Sequence, residues 1–211
     1  GNKGFGFADE VIPLDFLSNQ WNSIAKKAMW FLVGTIPLSS QSSSESLWWC
    51  IKDALSKDIR IAVDVNWRPI FWESDVHPDE GPKQFAIDLI QPLLEIASLI
   101  KLSKEEAIWF FNSNDPHVIS RSLPHNPNVV VTDGALPIRW DFEGICGSTE
   151  VLNSLPVVDT TGAGDSFTAG MISQLLDTSA KFNTYEDINK IITFAAAGGA
   201  LVCTAPGAIE P

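Results

Sequence analysis

The sequence predicts an α/β fold, a mostly parallel sheet with helices on both faces. Two β-branched runs, "IRIAVDVNW" (59–67) and "NVVVTDG" (128–134), have continuously apolar centres, Ile61 to Val63 and Val129 to Val131, as strands covered on both sides must. Longer amphipathic stretches separate such runs, so strand and helix alternate along the chain. Polar clusters then close the apolar runs, at Gly34-Thr35, Asp64 to Arg68, Thr132 to Gly134 and Asp159 to Asp165. In open sheets of this kind ligands gather beyond the carboxyl ends of the strands.

Taken in order, the opening "GNKGFGFADE" shows no initiator Met and no obvious strand or helix. "MWFLVG" (29–34) predicts a buried strand ending at Gly34, and "SESLWWCIKDALSK" (44–57) a helix with Leu47, Cys50, Ile51, Ala54 and Leu55 on one face. The strand at 59–67 follows. "GPKQFAIDLIQPLLEIA" (81–97) is a helix that Pro92 should kink or divide, because proline lacks the amide and its ring crowds the preceding turn. "SLIKL" is a short strand, and "SKEEAIWFF" a helix that Ser103 caps. After the strand at 128–134, "PIRWDFEGICGSTEVL" alternates as an antiparallel hairpin does. "LPVV" reads as a further strand, leading through a glycine turn into a helix over about 163–177. "YEDINKIITFAAAGGALVC" closes the chain as a last helix. A chain of 211 residues with no internal repeat or low-complexity segment suits one domain, 1–211.

Composition excludes several function classes. Lys and Arg number 14 against 26 Asp and Glu, with no basic cluster, so a salt-sensitive grip on nucleic acid is not expected. No apolar run reaches about 18 residues and no signal segment opens the chain, which predicts a soluble, cytoplasmic protein without membrane partners. Cys50, Cys146 and Cys203 are far apart and unpaired by any short spacing, which fits reduced thiols rather than a disulfide scaffold or zinc site. His77, His117 and His125 sit among Pro, Asn and Asp residues and are not read as ligands.

The densest signal is "VVDTTGAGDSFTAGMISQLL" (157–176). Gly162 and Gly164 let the backbone turn tightly and approach a ligand without Cβ atoms in the way. The free amides of the first helical turn then favour an anion. Asp165 has two readings. It caps the helix with its own side chain, or it is a general base beside an anion hole, accepting the proton of a hydroxyl that attacks a phosphoryl group.

The stretch "VVDTTGAGDSFTAG" resembles the C-terminal signature of the PfkB-type, ribokinase-like carbohydrate kinases. "FLVGTIPLSS", "AVDVNWRPIFW", "IKLSKEEA", "VVVTDG" and "CTAPGA" resemble further segments of that family, in the family's order, and "DVNWRPIFW" is similar to its fructokinase-like members. The resemblance implies ATP-dependent phosphorylation of a sugar hydroxyl, with ATP, Mg2+ and room for K+ as cofactors. Asp165 would be the base, and Gly162, Ala163 and Gly164 the anion hole. Lys101, Thr132, Gly134, Gly164, Ala205 and Gly207 would meet ATP, while Asn66, Arg68 and Asp165 would meet the sugar. Asp159, Thr161, Val202, Ala205 and Gly207 would hold a monovalent cation behind the anion hole. The bland alternatives are a surface ion pair for Arg68 and a solvated strand end for Lys101, and Trp67 and Trp72 read as packing residues.

Three positions depart from the family. Lys104 stands where a glutamate often positions Mg2+, Pro137 where the nucleotide turn has a second glycine, and Ala196 where many relatives carry an asparagine. The family's N-terminal strand, Gly-Gly segment and β lid are also absent, as is its final helix. The expectation is therefore a partial kinase, weakly active or inactive alone, whose full-length parent could be a homodimer. Two alternatives stay open. One is a non-catalytic, regulatory nucleotide-binding relic; the other is a family member acting on 2-keto-3-deoxygluconate or a nucleoside. A nicotinamide dehydrogenase is a poor third reading, because its glycine turn would follow the first strand, with an acidic residue about 20 positions on, whereas this turn comes near the end.

Overall fold

A computed structural model describes residues 11–73, 77, 80–151, 155–176 and 183–208. Along the chain come α1 (Leu14–Ala25), β1 (Trp30–Gly34), α2 (Gln41–Ser56), β2 (Arg60–Asp64), α3 (Gln84–Glu95), β3 (Leu99–Ser103) and α4 (Lys104–Phe111). Then follow α5 (Pro116–Ser122), β4 (Asn128–Asp133), β5 (Leu136–Phe142), β6 (Ile145–Thr149), α6 (Ala163–Leu176) and α7 (Tyr185–Val202).

The strands form one six-stranded sheet in sequence order. β1 to β4 run parallel, because helices return the chain between them, whereas β5 and β6 follow tight turns and run antiparallel. Strand alternation sorts the core into two layers. Ile61, Val63, Ile100, Leu102, Val129 and Val131 pack against α1 to α5. Ala62, Leu99, Val130, Ile138, Trp140 and Phe142 pack against α6 and α7. Helices thus cover both faces, as the near-continuous apolar strands require. Among the described residues, no helix is long and apolar enough to cross a membrane.

Several elements differ from expectation. α1 went unread, although Trp21 and Ala25, four residues apart, are buried from it and Leu17 packs beside them. α5 also escaped notice, being one short helix that Asp115 caps through the His117 amide. β2 stops at Asp64 instead of continuing to Trp67. α3 runs unbroken through Pro92: the ring sits in its C-terminal third, where only the bond to the Asp88 carbonyl is forfeited. The strand expected at 155–158 is not formed. Val157 and Val158 are 70 % and 58 % exposed, and the amides of Val158 and Asp159 donate to the Cys203 carbonyl at the end of α7, away from any sheet edge. The first ten residues, residue 152 of the predicted hairpin and residue 177 of the predicted helix lie outside the described residues.

Candidate active site

Three adjacent parallel strands make the same change at their carboxyl ends. On the face toward α6, Ala62, Leu99 and Val130 are followed two residues later by Asp64, Lys101 and Thr132. The strand period of two therefore aims two charges and a hydroxyl at the first turn of α6. Asp64 and Lys101 are register partners, their side chains only 10 % and 11 % exposed, and the ammonium lies 3.1 Å from the carboxylate. Each charge is tolerated there because the other is present. The Thr168 hydroxyl, on the buried face of α6, lies 2.8 Å from Asp64 Oδ2 and 2.9 Å from the Gly164 carbonyl. A Cβ on Gly164 would stand 3.3 Å from Lys101 Nζ. The glycine turn thus rests on a buried ion pair, and Lys101 is not a solvated strand end.

The turn itself is shaped by Gly162. Its φ of +81° belongs to the left-handed region, and a Cβ would come 2.7 Å from Cβ of Ala208. α6 begins one residue later; the Ala163 amide donates to the Thr160 carbonyl at 3.2 Å, and the amides of Gly164 and Asp165 stand at the turn without a partner among the described residues. Asp165, in that first turn, is exposed, and among the described residues its carboxylate makes no hydrogen bond or ion pair. The capping role weighed for it is not the arrangement observed.

Two cavities meet at this turn. A polar one of about 660 Å³ is lined by Asn66, Arg68, Lys101, Glu105, Gly162 and Asp165, among others. An apolar one of about 540 Å³ is lined by Thr132, Gly134, Ile138, Phe167, Ala196 and Gly199, together with Ala163. Gly164 and Thr160 line both. The predicted sugar contacts fall in the first cavity. Of the predicted nucleotide contacts, Thr132 and Gly134 fall in the second. Ala205 and Gly207 line neither. Gly207 instead donates its amide to Asp159, at 2.9 Å.

Asp159 is tied on both oxygens, the second bound by the amide and hydroxyl of Thr161 at 2.9 and 2.8 Å. These donors, Gly207 first, hold its carboxyl down to about 2. The carboxylate therefore stitches the loop after α7 to the turn before α6.

Sequence reading missed some of the neighbourhood. Glu106 is buried; it accepts from the Ser103 amide at 2.7 Å, closing a capping box in which its own amide donates to Ser103 Oγ, and its other oxygen accepts from the Trp67 amide at 2.6 Å. Burial pushes its carboxyl up, opposed by those two amides. Lys104 turns away to Asp133, 3.0 Å distant, which leaves Glu105 as the exposed carboxylate of α4 facing the polar cavity. Thr168 carried one overlooked signal, a hydroxyl placed between the apolar positions Phe167 and Met171 and four residues from Gly164. Arg68 is exposed and donates to the Trp67 carbonyl, and Trp67 stacks on Trp72 at 5.4 Å, the packing role expected of both rings. Pro137 is the second residue of β5, so no glycine loop extends beyond Gly134 there.

The model of the pfkB family of carbohydrate kinases matches residues 10–211. The chain belongs to that family. It is 31 % identical over 204 residues to probable fructokinase-6, chloroplastic, of Arabidopsis thaliana, covering 95 % of this chain and 49 % of that one. It thus spans about half the length of that curated relative. Solved structures of the same fold include a fructokinase with bound ATP from Xylella fastidiosa. That likeness has a TM-score of 0.74 at 23 % identity, covering 95 % of this chain and 62 % of that one. Another is a fructokinase from Vibrio cholerae O395 in its fructose, ADP and calcium ion bound form. Its TM-score is 0.71 at 24 % identity, covering 87 % of this chain and 57 % of that one.

Proposed function

We propose that the protein transfers the γ-phosphoryl group of ATP to a hydroxyl of a fructose-like sugar. The observation that carries this reading is the position of the 162–165 turn between the two cavities, with Gly164 lining both and Asp165 the polar one alone. The apolar cavity, floored by small residues, suits a nucleobase, and the polar cavity suits a hydroxylated acceptor. Asn66 and Arg68 hold and orient the sugar there. Asp165 accepts the proton of the attacking hydroxyl, while the amides of Gly162 and Gly164, joined by that of Ala163 on release from the Thr160 carbonyl, stabilise charge on the migrating phosphoryl oxygens. Lys101, already beneath Gly164, adds a fixed positive charge to that place, and Thr132 and Gly134 line the nucleotide's path.

Mg2+, when bound, neutralises the phosphates; Glu105 is the residue of α4 free to help position it, through water in the usual manner of this ion. Asp159 and Thr161, with the carbonyls of Val202, Ala205 and Gly207, would hold a monovalent cation whose charge steadies the anion hole from behind. The fructose-like choice is supported by the names of the relatives, several of which are fructokinases.

A second reading, a nucleotide-binding module without catalysis, draws on Lys104, which is committed to Asp133 where a glutamate often serves the metal. One experiment separates them. With fructose and ATP, coupled ADP release should fall by about 10²–10⁴-fold in Asp165→Asn while nucleotide affinity is unchanged. An unchanged rate in the variant would remove Asp165 from the mechanism, and nucleotide binding without sugar-dependent ADP release in the full-length parent would favour the binding module.

A further inference from the structure

On the far side of the sheet, away from both cavities, three side chains of different chemistry converge. Asp141 and Cys146 are direct cross-strand partners of β5 and β6, brought together by a two-residue turn in which Glu143 and Gly144 both have positive φ. Ile138, Trp140 and Phe142 face α6 and α7, so Asp141 points the other way, toward α5. There the ring of His117 meets it, with Nδ1 2.6 Å from Asp141 Oδ2. The Cys146 thiol donates to the same oxygen at 3.4 Å, and the Gly144 amide to the other at 2.8 Å. One donor atom from each of the three side chains lies within 4.8 Å of the others. His117 and Asp141 are 24 positions apart, a separation that no spacing rule reads as a metal motif.

We propose that His117, Asp141 and Cys146 form a binding site for a soft-to-borderline divalent cation of the zinc class, with its fourth position open to water. An imidazole nitrogen, a thiolate and a carboxylate oxygen are the three ligand types zinc accepts, and three protein ligands leave one tetrahedral place free. Asp141 is 1 % exposed, while Cys146 is exposed and the His117 side chain is 45 % exposed, so the anionic ligand is fixed and the other two are reachable. The Gly144 amide already orients the carboxylate, as the outer partners of metal ligands do. Both present hydrogen bonds point at one oxygen, so a metal takes the place of two protons. The thiol proton leaves to solvent, the Nδ1 proton of the neutral imidazole passes to Nε2 by exchange with water, and Asp141 exchanges these two hydrogen bonds for one bond to the ion. Arg121 closes over Gly144, and the thiolate and carboxylate together offset the charge of the incoming ion. Occupancy would clamp α5 to the β5–β6 hairpin.

The test is titration of the full 211-residue chain with Co2+, followed by displacement with Zn2+. The expected result is a thiolate-to-cobalt charge-transfer band that saturates at one equivalent, vanishes on addition of Zn2+, and is absent from Cys146→Ser. His117→Gln should weaken Zn2+ binding by more than the roughly 10–100-fold that loss of an outer partner costs. Both positions lie outside the cavities, so fructose-dependent ADP release should match the parent in each variant, and circular dichroism in chelator shows whether the fold is kept. The proposal is overturned by no band at equimolar cobalt in the parent, or by a band that persists in Cys146→Ser, since Cys50 or Cys203 would then be the ligand.

Discussion

The two cavities beside the glycine turn are built by opposite means. The polar one stands on charges that are paired before any ligand arrives, with Asp64 held by Lys101 and Thr168 beneath Gly164. The apolar one is made by leaving side chains out: Ala163, Ala196, Gly199 and Ala200 line it, and a Cβ on Gly199 would already stand 3.0 Å from the Ala163 carbonyl. The difference teaches that one turn of backbone can serve two ligands of unlike chemistry. Its lower side is set by electrostatics and its upper side by volume, so substitutions on the two sides should fail in different ways.

The largest effect belongs to the charged side. Lys101→Met leaves Asp64 buried with only a hydroxyl beside it, and unfolding free energy should drop by about 3–5 kcal/mol in chemical denaturation. Adding Asp64→Leu should recover much of that loss. A double variant no better than the single one would mean that the pair does not support the turn. Gly199→Ala probes the volume side. Its overpacking cost should be about 1–3 kcal/mol, with weaker nucleotide binding and unchanged sugar binding by calorimetry. Gly162→Ala bears on the turn alone: the left-handed conformation costs about 1–2 kcal/mol, and Ala208 must also move. Here thermal stability should fall and phosphoryl transfer should fall further.

Asp159 supplies the smallest and most pH-specific effect. Its folded carboxyl lies at about 2 against an ordinary 3.8, so its contribution is present above about pH 4 and is lost as pH falls through about 2. The melting-temperature difference between the parent and Asp159→Asn should therefore be flat at neutral pH and close toward zero in acid. A difference that persists at the acid end would show that the carboxylate's charge is not what ties Gly207 to the turn.

Much of this arrangement is legible in the linear chain because its signals are local. Continuous apolar runs mark β1, β3 and β4, Ser103 marks the start of α4, and the glycines flanking Ala163 mark the turn. What is not legible is pairing across the sheet. Lys101 and Asp64 are 37 positions apart and Thr168 and Asp64 are 104 apart, so their union appears only when parallel register brings strand ends together. The misread strand at 155–158 has a related cause. Its residues are apolar and two of them, Val157 and Val158, are β-branched, but the amides of Val158 and Asp159 bond the Cys203 carbonyl after α7, and propensity gives way to available partners. The His117, Asp141 and Cys146 cluster was invisible for the same reason, its parts lying on a helix and two strands.

The most direct test of the central claim, that the turn divides nucleotide from acceptor, is a crystal structure with a non-hydrolysable ATP analogue and fructose bound together. The predicted result is the adenine in the cavity lined by Ala196 and Gly199, and a sugar hydroxyl within about 2.6–3.2 Å of the Asp165 carboxylate. An adenine lodged instead beside Asn66 and Arg68, or a sugar bound beyond reach of Asp165, would contradict it.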